Sequence, residues 1–187
     1  WQLPPQNGDR VERIYVELRG IVPALGRNRD QGFWRDGVGS PSGTFLPGYS
    51  SWVPDVGVGQ VTFQIAAKIE KNQIAVGSGR LEHELQAGQL YRARFVADQP
   101  TELPSLFIGP YKITERNIRE RRIRTYFHRD LLDLSDEYIS QSAKYIRKFS
   151  YLIGDYPFQN FYIVSSPLPV GLGFPYLTYI GRMIAPL

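Results

Sequence analysis

The chain has 187 residues, of which 42% are hydrophobic and 13% aromatic, so it can build a packed core and is not disordered overall. It contains no cysteine, which excludes disulfides and thiolate chemistry, and its formal net charge of +4 permits contact with nucleic acid or anionic lipid without indicating either. No apolar run reaches the roughly 20 residues of a membrane-spanning helix. The length allows one domain, or one domain and part of another.

Alternation of apolar and polar residues predicts several strands in the first part of the chain. In chain order, these strands are 11–19, 61–70, 74–76, 91–97 and 106–108. In the first of them, Ile14, Val16 and Leu18 are expected to face inward. Because Gly, Pro and Asn separate the strands, they predict an antiparallel β domain.

A long irregular segment, 20–59, interrupts this pattern and is rich in Gly and Pro. Structureless loops of this length are uncommon inside compact domains, so we expect short strands within it, at 43–46 and 51–53. Trp34 and Trp52 are expected to pin the segment onto the sheet.

The character of the sequence changes near Thr114. We predict a domain boundary there, between a β-rich N-terminal domain of residues 1–113 and a second unit of residues 114–187. Repeats and low-complexity tracts are absent from the sequence, so the division rests on the change of pattern alone.

The second unit opens with an alternating strand, 117–128, followed by a long helix, 135–153. Ser135 is the expected N-cap, acidic residues occupy the first turn, and Gly154 ends the helix. Apolar residues at three- and four-residue steps predict its buried side: Ile139, Ala143, Ile146 and Ile153. Further strands are predicted at 161–164 and 177–180. The predicted fold class is therefore mainly β with one long α-helix, an α+β fold.

The two histidines predict no metal site. His83-Glu84 begins like a His-Glu-x-x-His zinc helix, but that motif needs a second His one helical turn later, where this chain has Ala87. We expect the pair on an exposed strand or loop. His128 is expected to be solvated or hydrogen bonded at the end of a strand, because no third metal-binding side chain has suitable spacing.

Motifs for nucleophilic catalysis and phosphate binding are incomplete. Neither Ser165 nor Ser166 lies in a Gly-x-Ser-x-Gly elbow, and no His follows them to act as a base. Gly171 and Gly173 follow a strand, but the third Gly of a dinucleotide loop and the Lys-Ser/Thr of a P-loop are missing.

A run of arginines within 116–129 is interleaved with Tyr126 and Phe127. Nucleic-acid surfaces use this mixture of cations and stacking rings. Acidic residues interrupt the run, however, and the alternation accounts for it as the wet face of a strand. We therefore favour a solvated face and expect no nucleic-acid partner.

Four segments of the chain occur in an order that characterises one enzyme family. They are Gly43-Thr44-Phe45-Leu46 with Trp52-Val53-Pro54, Leu106-Phe107-Ile108-Gly109-Pro110-Tyr111, Gly154-Asp155-Tyr156-Pro157-Phe158, and Phe161-Tyr162-Ile163-Val164. Together they resemble the aminopeptidase N-like zinc metallopeptidases, the gluzincins. The resemblance implies a sandwich-like or saddle-shaped antiparallel β domain, followed by the beginning of a thermolysin-like catalytic domain.

The family's next landmark is a Gly-x-Met-Glu-Asn strand, which lines the cleft, pairs with bound peptide and holds the substrate's amino terminus with its Glu. Matching it to this chain places Gly171 at the Gly, Leu172 at the Met, Gly173 at the Glu and Phe174 at the Asn. The resemblance makes these residues, with Tyr179, substrate-cleft candidates. Gly173 cannot bind an ammonium group by charge, so aminopeptidase specificity does not carry over. In the competing interpretation, 171–179 is only a structural loop followed by a core strand.

Catalysis in this family requires zinc, held by two His and a Glu, with another Glu activating water. The chain offers no such set, so we assign no catalytic or metal-binding residue and expect zinc only in a full-length parent. The resemblance also implies a peptide substrate, bound through the parent. It favours a periplasmic or membrane-associated bacterial protein, with any membrane attachment outside this chain.

Two hypotheses for function remain open besides the disfavoured one of nucleic-acid binding through 116–129, which predicts steeply salt-dependent association. In the first, the chain is the non-catalytic N-terminal portion of a zinc metallopeptidase, a hydrolase, and acts as scaffold and cleft wall for a following zinc domain. A His-Glu-x-x-His helix is then expected shortly after Leu187. In the second, the chain is a stand-alone β-rich module that binds a protein or glycan through the segment 20–59.

Overall fold

Of the 187 residues, the computed structural model describes 15–22, 24, 37–50, 52–54, 57, 59–70, 72–166, 168 and 171–181. The strands of this part are β1 Val38–Ser40, β2 Gly43–Leu46, β3 Val61–Ile69, β4 Ile74–Gly77, β5 Arg80–Ala87, β6 Leu90–Thr101, β7 Leu106–Gly109, β8 Lys112–Ile118, β9 Arg121–Phe127, β10 Asn160–Ser166, β11 Leu172–Phe174 and β12 Leu177–Gly181. A 3-10 helix, Arg129–Leu134, leads directly into the α-helix α1, Ser135–Ile153. The predicted class, mainly β with one long helix, is confirmed.

The strands form three sheets. Sheet I has the order β1-β2-β7-β4, sheet II the order β3-β6-β5, and sheet III the order β11-β12-β10-β9-β8. Pairing is antiparallel throughout sheets I and II. In sheet III the central strands β9, β10 and β12 run parallel, with antiparallel strands at both edges. The antiparallel prediction therefore holds for the first part of the chain.

Sheets I and II share one hydrophobic core. Val76 of β4 and Phe95 of β6 are wholly buried in it, and Ile65 of β3 is 9% exposed. Gly77 lies so close to the opposite sheet that a Cβ atom there would be 3.2 Å from the Phe95 ring. This close approach of two antiparallel sheets makes a β-sandwich.

Both faces of sheet III make packing contacts, one with the sandwich and the other with α1. One face adds Tyr126, Tyr162 and Tyr179 to the core of the sandwich. The other face packs Ile123 and Phe127 against α1. Parallel strands covered on both sides carry continuous apolar runs, as β10 does from Phe161 to Val164.

The wet face predicted for 117–128 is wrong along β9, because the sandwich covers that side. Arg124 is only 9% exposed, and Tyr126 is fully buried. The Arg124 guanidinium forms ion pairs with Glu84 of β5, at 2.8 Å, and with Glu115 of β8. It also donates a hydrogen bond to the Tyr126 hydroxyl at 3.0 Å. In the sequence, a strand with a buried arginine shows the same two-residue alternation as a strand whose polar side is solvated.

The strand predicted at 11–19 is also wrong where it can be seen. Residues 15–19 form no strand, and Val16 and Leu18 are 54% and 49% exposed. No described strand pairs with this segment, and an alternating pattern cannot form a ladder without a neighbouring strand. Ile14 and the rest of 11–14 lie outside the described residues.

Within the irregular segment, β2 confirms the strand predicted at 43–46, whereas the described part of 51–53 is a turn. Trp52 packs against the core, and its indole N–H donates to the Pro47 carbonyl at 2.8 Å, so it pins the segment as expected. Trp34 lies outside the described residues.

The bounds of α1 agree with the sequence, but its N-cap does not. The 3-10 helix is already helical at Leu134, the residue before α1, so Ser135 has helical angles of φ −58 and ψ −47 and cannot act as an extended cap. Gly154 ends the helix with φ 115, as expected. Thr114 lies inside β8, and the proposed division into 1–113 and 114–187 stays a prediction.

Truncating the core where sheets I and III meet should be costly. Phe107 is 1% exposed and stacks on Phe45 at 4.5 Å between ring centroids. We expect Phe107→Ala to lower the free energy of unfolding by about 3–5 kcal/mol, measured by urea denaturation. The matched control is Tyr151→Ala, which truncates a side chain that is 90% exposed. It should change the free energy of unfolding by less than about 0.5 kcal/mol. Equal losses would show that the two sheets do not share this core.

The buried tyrosines should make the fold sensitive to alkali. Burial raises the pKa of Tyr126 from 10.0 to about 12, although Arg124 lowers it, and burial also raises the pKa of Tyr111. Because the folded-state pKa is the higher one, this stabilisation is complete below pH 10.0 and is lost as the pH rises through about 12. The free energy of unfolding should therefore decline above pH 10.0.

Tyr111→Phe provides the matched variant for this pH dependence. The Tyr111 hydroxyl is buried with no hydrogen-bond partner among the described residues. Its removal should leave stability at neutral pH equal or higher and make the alkaline decline shallower, as followed by urea unfolding at several pH values. An unchanged decline in the variant would contradict a contribution from Tyr111.

Candidate functional site

The cleft candidates lie on and beside an edge strand. β11 is the last strand of sheet III and pairs with β12 on one side, with Gly173 opposite Thr178. Within the described part of the chain, no strand pairs with its other side. Its outer N–H and C=O groups could therefore pair with an extended peptide.

The β11 residues alternate between the core and the open side. Leu172 and Phe174 are half-buried and pack against the sandwich core, whereas Gly171 and Gly173 are exposed. The Thr178 hydroxyl donates to the Leu172 carbonyl at 3.0 Å and reinforces the pairing with β12. The edge is thus held from one face and open on the other.

Tyr179 supports this edge from inside the protein. Its side chain is fully buried, and its ring packs against Phe45, Phe107 and Phe174 at centroid distances of 5.4, 5.2 and 6.2 Å. Burial raises the pKa of the Tyr179 hydroxyl, so it stays protonated at neutral pH. Among the candidates, Tyr179 positions the strand and does not itself reach its open side.

A second feature lies on the other face of sheet III, where α1 covers only part of the sheet. Between α1, β10 and β12 runs a groove of about 600 Å³, which we call the α1 groove. Apolar side chains from the helix and the two strands line it: Tyr145, Phe149, Ile153, Phe161, Ile163 and Ile180. Phe149 and Ile153 are 49% and 83% exposed, so a large apolar surface is left uncovered.

Sequence reasoning missed this groove and placed Ile153 on the buried side of the helix. The sequence does contain the signal, because Tyr145, Phe149 and Ile153 recur every four residues and form a second set of apolar residues beside the buried set. A helix with apolar residues on two sides contacts more than one partner.

Neither of the two histidines is placed to bind a metal ion with other described residues. His83 is exposed on β5, as predicted. His128 is buried: its Nε2–H donates to the Ser42 carbonyl, and its Nδ1 accepts from the Ser165 hydroxyl, each at 2.6 Å. With both ring nitrogens engaged, His128 is hydrogen bonded, also as predicted, and cannot ligate a metal without breaking these bonds.

The described residues do not fit a zinc ion. They contain no group of three or more His, Cys, Asp or Glu side chains placed to hold a metal. In the same described ranges, no helix has the length and apolar character required to cross a membrane.

The arginines of 116–129 are divided among different partners. Arg116 pairs with Asp136 of α1 at 2.8 Å, and Arg121 donates to the Tyr156 carbonyl at 2.8 Å. Arg124 is buried with two carboxylates. The run therefore does not form one continuous cationic strand face.

Comparison with known proteins gives structural matches only. No family model matches the chain, and no curated protein matches it. A mutant of the M1 zinc metallopeptidase from Deinococcus radiodurans bound to a Tyr-Ser-Ala substrate matches with a TM-score of 0.62 and 15% identity, over 76% of this chain and 36% of that one. A mutant of the same enzyme matches with a TM-score of 0.65 and 15% identity, over 80% and 38%.

A third structure, a two-domain M1 zinc metallopeptidase mutant bound to L-arginine, matches with a TM-score of 0.65 and 14% identity, over 80% of this chain and 38% of that one. At these identities the likeness shows the fold alone. The chain thus has a fold found in M1 zinc metallopeptidases, and it spans 36% to 38% of the length of these structures.

Gly173 should tolerate a side chain. A Cβ atom at Gly173 would meet nothing within 4 Å, whereas one at Gly48 would lie 2.2 Å from the Leu103 carbonyl oxygen. We expect Gly173→Glu to change the free energy of unfolding by less than about 0.5 kcal/mol. Gly48→Ala, the smaller replacement, should cost about 1–3 kcal/mol because backbone must shift. Urea denaturation of both variants measures the difference, and a severe loss from Gly173→Glu would show that β11 is covered.

Proposed function

We propose that this chain is the non-catalytic N-terminal portion of a zinc metallopeptidase related to the aminopeptidase N-like gluzincins. It acts as scaffold and cleft wall for peptide hydrolysis by a following zinc domain. The observation that carries the proposal is the α1 groove, a water-exposed apolar surface on a sheet whose opposite face is fully packed. Such a surface suits a further layer of protein.

The comparisons support the same proposal from a different side. The matched M1 zinc metallopeptidases are longer, and this chain spans 36% to 38% of them. The last described strand, β12, contributes Ile180 to the α1 groove. Chain following β12 would therefore start beside the surface that it has to cover.

In this proposal β11 is the wall of the substrate cleft. A peptide would add as a strand to its unpaired side, next to Gly171 and Gly173, while Leu172 and Phe174 anchor the strand in the core. Main-chain pairing would hold the peptide along its length. Gly173 offers no carboxylate for an amino terminus, so recognition of that end would need another residue.

Zinc belongs to the following domain in this proposal. The described residues offer no set of ligands, and His128 is committed to Ser42 and Ser165. When bound there, zinc would polarise the peptide carbonyl and activate water. The present chain contributes the strand that orients the peptide.

The test is to extend the coding sequence past Leu187 and compare the longer protein with the 187-residue chain. We expect a His-Glu-x-x-His helix in the extension and peptide hydrolysis that is lost on chelation and restored by zinc. The 187-residue chain should show none. A stop codon directly after Leu187, with a monomer that melts cooperatively, would favour the stand-alone binding module.

Covering of the α1 groove can be measured separately from activity. The 187-residue chain should bind the apolar dye ANS, and Phe149→Ser with Ile153→Ser should reduce that fluorescence severalfold, because half to four-fifths of these side chains is exposed. The longer protein should bind little dye. A longer protein whose dye binding equals that of the short chain would show that the groove is not the docking surface.

A further inference from the structure

The outward side of α1 differs from the side that lines the groove. Lys144, Lys148, Tyr151 and Leu152 recur at steps of four, three and one along the helix and are all exposed, so they share one side of it. Tyr151 is 90% exposed and Leu152 is 59% exposed. Two cations are thus interleaved with an aromatic and an aliphatic side chain that both face water.

Two further cations extend this side. Arg147 lies on the helix between Lys144 and Lys148, and Arg119 stands in the turn between β8 and β9 with φ 57. Arg119, Lys144, Arg147 and Tyr151 together line a groove of about 670 Å³ between that turn and α1. We call Arg119, Lys144, Arg147, Lys148, Tyr151 and Leu152 the basic aromatic face.

The cations of this face are not neutralised by ion pairs within the described part of the chain. Arg119, Lys144, Arg147 and Lys148 form no salt bridge with any described residue. Three acids lie close by. Asp136 is paired with Arg116 at 2.8 Å, Asp155 lines the same groove, and Glu120 follows Arg119 in the turn. The face therefore carries an excess of positive charge.

We propose that the basic aromatic face binds the surface of an anionic lipid bilayer. Lysine and arginine near such a surface are attracted by its negative potential, and exposed tyrosine and leucine enter the boundary between headgroups and acyl chains. Helices that lie on membranes show this combination of a basic side and protruding apolar residues. The proposed contact lies along the membrane plane and needs no spanning segment.

Nucleic acid fits the face less well. Phosphate pairing and base stacking would use the cations and Tyr151, but they give no role to an exposed Leu152. The proposal is also separate from the proposed function, because the α1 groove uses Phe149 and Ile153 on a different side of the helix. Either can fail while the other holds.

The test is partitioning of the 187-residue chain onto vesicles of phosphatidylcholine mixed with phosphatidylglycerol, measured by co-sedimentation. Vesicles of phosphatidylcholine alone are the reference. We expect binding only to the anionic vesicles, weakening with added salt. Lys144→Gln with Arg147→Gln and Lys148→Gln should weaken it on the order of a hundredfold, about fivefold per cation.

A charge-matched control is Lys68→Gln with Arg92→Gln and Lys112→Gln, three exposed cations on β3, β6 and β8. It should bind nearly as the parent chain does. Equal weakening by both triple variants would show attraction by net charge alone and would overturn the proposal, as would equal binding to neutral and anionic vesicles.

The apolar contribution has its own variant. Tyr151→Ser with Leu152→Ser keeps all cations and should weaken vesicle binding about tenfold. Because these side chains are exposed, both variants should keep the circular dichroism spectrum of the parent. If this double variant binds vesicles as well as the parent, no side chain enters the interface and the proposal is wrong. Tighter binding to a single-stranded oligonucleotide than to anionic vesicles would likewise assign the face to nucleic acid.

Discussion

The packing of four aromatic rings between sheets I and III determines where every candidate residue lies. Phe45 and Phe107 come from the two central strands of sheet I and stack on one another at 4.5 Å. Phe174 and Tyr179 come from β11 and β12 and close over them at centroid distances of 5.2 to 6.2 Å. Rings in tilted and edge contact at these distances attract one another beyond their area burial. The sandwich therefore supports the edge strand β11, whose only strand partner in the described part of the chain is β12.

A buried ionic cluster aligns sheet III with sheet II. Arg124 of β9 pairs with Glu84 of β5 and Glu115 of β8, and Glu84 also accepts a hydrogen bond from Tyr91 at 2.8 Å. Hydrophobic contacts between sheets tolerate sliding, whereas a half-satisfied buried charge costs several kcal/mol, about 3–5 when one partner is lost. Sheet III can satisfy Arg124 in one position against sheet II. Aromatic packing attracts sheet III to sheet I, and the ionic cluster aligns sheet III with sheet II.

Sequence patterns predicted what depends on neighbours along the chain. The bounds of α1 followed from apolar spacing and from Gly154, and β3, β6 and β10 followed from alternation or from an apolar run. The patterns failed where burial depends on a second layer of structure packed against the strand. Alternation in β9 could not show that the side carrying Arg124 is buried, and the alternation around Val16 could not show that no described strand pairs with it. Gly171 to Phe174 were chosen by motif order, and only the fold shows that they form an edge.

The two exposed sides of α1 show why apolar exposure alone does not identify a partner. Both sides present large apolar residues to water, Phe149 and Ile153 on one and Tyr151 and Leu152 on the other. On the groove side, Asp155 is the one charged residue among the described lining, so the surface has the character of a core cut open. On the outward side, cations that form no salt bridge with a described residue surround the apolar residues, and a protein layer there would have to bury or neutralise them at a cost. The groove therefore suits a packed domain, and the outward side suits a charged surface that leaves its cations solvated.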